Sequence, residues 1–277
     1  MAAMKAKDIN LSKISLSSLK TLPSGGKMLY LNYNGGISPL YLETPEVSVP
    51  FDLSYFADNE KSGKYSVSIS MKDIDENVKM KEFHDKLLEM DEFIKEEAMK
   101  NSVPWFKKPK MSKDTIESLF TPMVKIHTDP ETGEPTGKFP PRFGFKIVKK
   151  EGKIQCSLYD GNKQYFDVNN ETDNPIDINR VITKGSMLKV VLKCNGVWLA
   201  NGKFGCTWRA EQIRVKVPEG GLNEFAILSD SDDEDGDVNE DINTTMTMIE
   251  DSSDEEKEPS PPPEPKKKTR KVRVKKE

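Results

Sequence analysis

A mainly β fold of the α+β class is what this sequence predicts, on three observations. Residues 142–217 divide into short runs with apolar alternation, RFGFKIVKK, KIQCSLYD, KQYFDV, MLKVVLKC, VWLA and CTWRAEQIRVKV. Glu-Gly, Asp-Gly and two Asn-Gly dipeptides punctuate them, a spacing of short strands that belongs to a sandwich or a barrel. One long stretch ahead of them, 77–102, has helical rather than strand periodicity. Past LNEFAIL the chain turns into charge runs and prolines, SDSDDEDGD, PSPPPEP and KKKTRKVRVKK, from which no core can be built.

Taken in order, residues 1–25 are rich in Ser and Lys with scattered Leu and Ile and close on PSGG, and read as a flexible arm. KMLYLNY (27–33) and KYSVSISM (64–71) read as strands, the second with Tyr65, Val67, Ile69 and Met71 on one face. In the helical stretch Met80, Phe83, Leu87, Met90 and Ile94 recur at spacings of 3, 4, 3 and 4, a single apolar stripe suited to packing against the body. Pro104 signals its stop. MSKDTIESLF reads as a shorter helix with Ser112 as N-cap, ended before Pro122. The helices thus form an insertion over 77–120 within a folded region 26–228, and 229–277 is read as a disordered tail, first acidic and then basic.

Charge is unevenly distributed. Of 42 Lys/Arg and 46 Asp/Glu in the 277 residues, nine and sixteen lie beyond residue 228, which leaves the body 33 basic against 30 acidic. The formal net charge of −4 therefore belongs to the tail, and the body can approach a polyanion. Cys156, Cys194 and Cys206 form no CxxC pair and suit a reducing compartment. With His84 and His127 as the only histidines, a metal site is disfavoured, and no cofactor is expected. DIDEN (73–77) opens like a calcium loop, but Val78 stands where Gly is needed and His84 where a bidentate Glu belongs. No run approaches the ~20 apolar residues of a membrane span, no signal-peptide stretch opens the chain, and no carboxylate pair has catalytic spacing. The chain reads as intracellular and non-enzymatic.

The turns allow the strand faces to be assigned. An Asn-Gly hairpin at 195–196 would pair Lys193 with Trp198. Leu188, Val190, Leu192 and Cys194 then share the apolar face, and Trp198 falls beside Lys189 and Lys193. A second hairpin at 201–202 would pair Leu199 with Phe204, sending Phe204, Cys206 and Trp208 inward and Lys203 and Arg209 outward. After Glu211 the apolar parity changes to Ile213, Val215 and Val217. A bulge near 211–212 would reconcile the two halves, and without one Trp208 would move to the basic face; Arg214 and Lys216 point away from the core in either case. With Glu151-Gly152 as a turn, Phe145 and Ile147 face Leu158 and Cys156, while Lys146, Lys150, Lys153 and Tyr159 share the opposite face. Two hairpins so place an aromatic among lysines, the pairing that stacks bases and tracks phosphates of single-stranded nucleic acid. WFKKPK (105–110) leaves two alternatives for Trp105: a plug under the long helix, or a second stacking site.

KYSVSISMKD, FHDKLLEMDEFIKEEAMKNSVPWFKKPK, IESLFTPMVKI, TGKFPPRFGFKI and GKFGCTWRAEQIRV resemble the single-stranded-DNA-binding proteins of the nucleocytoplasmic large DNA viruses, over about residues 25–217. The resemblance implies an OB-like five-stranded barrel with an inserted long helix. It also implies coating of single-stranded DNA, or RNA as the alternative ligand, during viral replication or repair, in the host nucleus or at a cytoplasmic viral replication site. An acidic tail in such proteins implies docking of replication or repair partners and competition with DNA; here a basic end follows the acidic block, and no hydrophobic tip closes it. The other reading of a β body with an acidic tail is a histone-chaperone-like interaction module, which the positive balance of the body opposes. PKKKTRKVRVKK reads as a nuclear signal or a phosphate-binding tail.

Overall fold

The structure, a computed structural model, describes residues 3–22 and 25–216. The tail expected over 229–277, the LNEFAIL segment and Val217 lie outside the described residues. The chain opens with β1 (Met4–Lys5), β2 (Ile14–Leu16) and β3 (Lys20–Thr21), followed by β4 (Lys27–Leu29), β5 (Leu31–Tyr33), β6 (Tyr41–Glu43) and β7 (Val47–Ser48). A hairpin of β8 (Ser54–Ala57) and β9 (Gly63–Ser70) leads to α1 (Val78–Lys100), α2 (Ser102–Phe106) and α3 (Lys113–Leu119). Next come β10 (Phe120–Thr121), β11 (Val124–Lys125), β12 (Arg142–Lys150), β13 (Lys153–Ile154) and β14 (Ser157–Tyr159). The short α4 (Ile178–Val181) precedes the two longest strands, β15 (Met187–Ala200) and β16 (Lys203–Lys216).

Among the described residues fourteen strands form one mixed sheet, and β2 with β5 forms a separate pair. Five pairings in that sheet return on themselves: β15 with β7, β7 with β9, β9 with β12, β12 with β16, and β16 with β15. All are antiparallel except β12–β16. Further strands branch from this ring at several edges, so the plain five-stranded barrel expected is replaced by a larger mixed sheet.

The local chemistry explains much of the path. Asn201 and Gly202, both at positive φ, turn β15 into β16, the left-handed pair that a two-residue hairpin needs. Leu199 then pairs with Phe204 as the sequence implies. Val191 opposes Gln212 while Leu192 opposes Ala210, so Glu211 is the extra residue of a bulge, the alternative that keeps Trp208 inward. The other Asn-Gly behaves differently. Residues 195–196 form no hairpin: Asn195 is the extra residue of a second bulge, and MLKVVLKC and VWLA are one continuous strand. Gly196 has φ of +111°, and a Cβ there would collide with the Leu29 carbonyl of β4, which passes too close for any larger residue.

Glu151 and Gly152, at φ of 53° and 83°, make the expected turn between β12 and β13. Beyond it the chain leaves β12, and β14 runs parallel to β16. KQYFDV, expected as a strand, is loop, touching the ladder only where Tyr165 bridges Tyr159. Side-chain carboxylates hold turns at both ends of it: Asp160 accepts the N–H groups of Asn162 and Gln164, and Asp167 those of Asn169, Glu171 and Thr172. Such Asx turns compete with ladder formation. They also hold the Asp167 carboxyl down at about 2.

The N-terminal segment departs from the flexible arm expected. β1 runs parallel to β6, β2 pairs with β5, and Ala6, Ile9 and Ile14 are buried; the scattered apolar residues have a core to enter. The helical insertion keeps to the sequence pattern. Asn77 caps α1 by accepting from Lys79 and Met80, Ser112 caps α3, and the whole stripe from Met80 to Ile94 is buried. α1 ends at Lys100, and Pro104 sits in the first turn of α2, where a missing N–H leaves no bond unmade. Phe83, Leu87 and Met90 join the main core with Phe143, Phe145 and Trp208, while Ile94 and Ala98 close a second cluster around Phe204.

Candidate nucleic-acid interface

Alternation along β9, β12, β15 and β16 sends Val67, Phe145, Leu192 and Trp208 inward and leaves the intervening side chains on the outer face. One row of that face crosses six strands through directly partnered residues. Ser54 of β8 pairs with Ser66, Ser66 with Lys146, Lys146 with Arg209, Arg209 with Lys193, and Lys193 with Tyr41 of β6. Three cations therefore stand on three adjacent strands, about 5 Å apart at the backbone.

Their surroundings differ. Lys146 donates to Ser66 Oγ at 2.8 Å and lies 5.5 Å from the centroid of Phe56. Burial, and then the nearby charges of Lys125 and Lys64, pull its ammonium below the usual lysine range. Lys193 sits 5.8 Å over the Tyr41 ring. Arg209 donates from Nε to Glu211 at 2.7 Å. Like charges directly opposite one another oppose folding, and an anion laid across them reverses that sign.

Exposed aromatic rings stand at the β8–β9 end of the row. Phe51 and Phe56 are 51% and 54% exposed, far more than a ring retains in a core. Arg142 lies 5.1 Å over Phe51, and Lys146 stands beside Phe56. Ser68 opposes Gly144 between these groups, so the floor is low, and Lys125 adds a charge beside its partner Arg142. A shallow basic surface with rings ready to stack is a general device for single strands.

The residues singled out from sequence fall into several places. Lys146, Lys193 and Arg209 come together in the row. Tyr159, Arg214 and Lys189 are also directly partnered, on β14, β16 and β15. Trp198 is half-buried but opposes Gly205 and Met28 rather than Lys193, because the hairpin that would have set it among lysines is a bulge. Lys189 and Lys216 are ion-paired to Glu43 and Glu46 at 2.7 and 2.8 Å. Lys153 is 2.9 Å from Glu171, and Lys150 is 3.7 Å from Glu151. Lys203 donates to the Ser118 carbonyl at 3.4 Å. Trp105 takes the packing alternative: it is buried, with its ring edge-on to Phe106 and Phe204, and offers no stacking surface.

Sequence reasoning missed Phe51, Phe56, Lys125 and Arg142. The signal was present in SYFADNEKSGKYSV, an aromatic run and a strand flanking a turn-rich segment. Asn59 accepts from Lys61 and Ser62 within that turn. Among the described residues no three His, Cys, Asp or Glu side chains are grouped as a metal would require, and no helix is long and apolar enough to cross a membrane.

No protein-family model matches the chain, and no curated protein matches it in sequence. Solved structures similar to it include the single-stranded DNA-binding protein from bacteriophage Enc34 in complex with ssDNA, at 12% identity and a TM-score of 0.40, over 76% of this chain and 99% of that one. Another is gp2.5, a single-stranded DNA binding protein encoded by bacteriophage T7, at 16% identity and a TM-score of 0.39, over 68% of this chain and 98% of that one. Likeness at this level fixes neither family nor function.

Proposed function

We propose that the chain binds single-stranded nucleic acid, DNA first and RNA as the alternative, without regard to sequence, on the outer face of an OB-like ring of strands. The observation that carries this reading is the row Lys146–Arg209–Lys193, three cations on adjacent strands with exposed Phe56 at one end and Tyr41 at the other. A polyanion relieves the repulsion within the row. The rings favour a single strand, whose bases are free to stack on them at ~1–3 kcal/mol each. The OB-like reading is supported by the order of the ring, in which β9 and β12 are second and third along the chain after β7; that pair supplies the oligonucleotide-binding face in OB folds.

Coating of displaced strands in viral DNA replication or repair is the setting the sequence resemblance implies, and the acidic run 229–258 is read as a tethered competitor for the same cations. The experiment is a fluorescence-anisotropy titration of labelled oligo-dT and of a duplex across salt. Lys125, Arg142, Lys146, Lys193 and Arg209 supply about five contacts, so log K should fall with log salt at a slope of about −3.5. A slope near zero, or equal affinity for the duplex, defeats the proposal. Deleting 229–258 should tighten binding several-fold at low salt only; unchanged affinity there removes the tail from the mechanism.

A further inference from the structure

The outer face of β15 and β16 carries a second basic row parallel to the first. Tyr159 of β14 pairs with Arg214 of β16, and Arg214 with Lys189 of β15. Tyr165, 43% exposed, packs edge-on against Tyr159 with 5.9 Å between centroids. Lys163 joins Tyr159, Lys189 and Arg214 around an open groove of about 440 Å³. The composition resembles that of the first row, cations on adjacent strands with aromatic rings beside them, but here both rings stand at one end.

The two rows share a face because of the bulge. On β15, Lys189 and Lys193 are four residues apart, an even number, and both lie outward. On β16, Arg209 and Arg214 are five apart, an odd number that would put them on opposite faces of a regular strand. The extra residue Glu211 restores the parity, so the bulge aims Arg214 to the side that Arg209 already occupies. At ~3.4 Å per residue the rows stand about 14 Å apart along β15, with Val191 and Gln212 paired between them.

We infer that Tyr159, Tyr165, Lys163, Lys189 and Arg214 form a second lane for the same bound strand, engaged only by a strand long enough to leave the first lane and cross to it. This rests on the nucleic-acid reading of the first row and adds a length threshold to it. Arg214 has no carboxylate within ion-pair distance among the described residues, whereas Lys189 is held by Glu43 at 2.7 Å. Arg214, like Lys163, therefore meets a phosphate without first breaking an ion pair among the described residues.

The test uses the full chain and labelled oligo-dT of about 5 and about 20 nucleotides, lengths near and beyond the limits of the ~4–16 nucleotides that one barrel spans. Arg214→Ala and Tyr165→Ala should each weaken binding of the longer oligonucleotide about tenfold and leave the shorter one unchanged. Arg214→Ala should also make the salt slope of the longer one shallower by ~0.7. Both side chains are at the surface, and melting curves of the variants serve as the folding control. Equal losses for both lengths would merge the lanes into one footprint and overturn the inference. No loss for either length would overturn it as well, while leaving the first row intact. If the unaltered chain bound neither oligonucleotide, the proposed function itself would fall, a result distinguishable from the other two.

Discussion

Replacing Lys146 with Met separates what the row does in the free protein from what it does with a ligand. Met keeps most of the aliphatic stem beside Phe56 and removes the charge. Three like-charged groups bear on Lys146: its strand partner Arg209, and Lys64 and Lys125. At head separations of ~7 Å and an effective dielectric of 40–80, each unscreened neighbour costs about 0.6–1.2 kcal/mol. Arg209 and Lys64 carry carboxylate partners, Glu211 and Asp58, which reduces their share. At 0.15 M salt a Debye length of ~8 Å removes roughly half of what is left. Against that relief, Met forfeits the hydrogen bond to Ser66, ~0.5–1.5 kcal/mol, and an exposed cation–π contact with Phe56, ~0.5–1 kcal/mol. The two sides nearly cancel, so the melting temperature should stay within about 4 °C of the parent, the equivalent of ~1 kcal/mol in a domain of this size. The sign should depend on salt, with Met the more stable in dilute buffer and the less stable at ~0.5 M. Affinity for oligo-dT should fall about tenfold, the scale of one charge-assisted contact, with a slope shallower by ~0.7. Thermal melts and anisotropy at two salt concentrations read all four quantities. A loss above ~2 kcal/mol in dilute buffer would make Lys146 a structural tie, and unchanged affinity and slope would take the row off the phosphate path.

Two further outcomes follow from the core. Trp208 is buried with its ring edge-on to Phe143 and its indole N–H directed at the Met123 sulfur, so Trp208→Ala should lower stability by ~3–5 kcal/mol in chemical denaturation. Trp198→Ala, at a half-buried position against Gly205, should cost less stability than that; the reverse ranking of the two in stability would contradict the face assignment. Asp91 of α1 is buried, accepts from the Met123 N–H through one oxygen, and leaves the other without a partner. Burial is the main cause that lifts its carboxyl to about 7, with Glu92 and Glu117 adding to it and Lys95 opposing. Between pH ~4 and ~7 the folded state holds a proton that the unfolded state has lost, so stability falls as pH rises through that window, by up to about 4 kcal/mol, and is flat above it. Asp91→Asn keeps an acceptor for Met123 and should abolish that slope in denaturation curves at pH 5 and 8; an identical slope in the variant would show that Asp91 does not titrate there.

What could be read from the sequence was local. The α1 stripe, the turns at Glu151-Gly152 and Asn201-Gly202, the bulge at Glu211 and the inward Trp208 all follow from periodicity within a few residues. Asn195-Gly196 shows the limit. The dipeptide that makes a hairpin at 201–202 makes a bulge at 195–196, because β4 crosses beside it and the Leu29 carbonyl occupies the space a side chain would need. Nothing within 187–200 encodes the presence of that neighbour. The same holds for residues 4–16, whose Ile9 and Ile14 look sparse until β5 and β6 are in place to receive them.

The candidate site follows this division. Lys193 and Arg209 were recognisable as outward cations because the β15–β16 hairpin fixes their faces from within. That Lys146 stands directly beside Arg209 was not, because a parallel pair has no turn to set its register and is brought together by everything folded between the two strands. Which cations are free was equally hidden: the charges of Lys189, Lys216 and Lys153 are compensated by Glu43, Glu46 and Glu171, two of them across more than a hundred residues of chain. A basic residue in an alternating strand is therefore evidence of a face, while evidence of a site requires the register that puts cations side by side, as Lys146 and Lys193 stand on either side of Arg209, the one of the three held by a carboxylate. By that criterion Lys146, with exposed Phe56 beside it, Arg142 further along β12 and Lys125 of β11 paired with Arg142, is the centre of the candidate interface, and Trp198 lies at its flank.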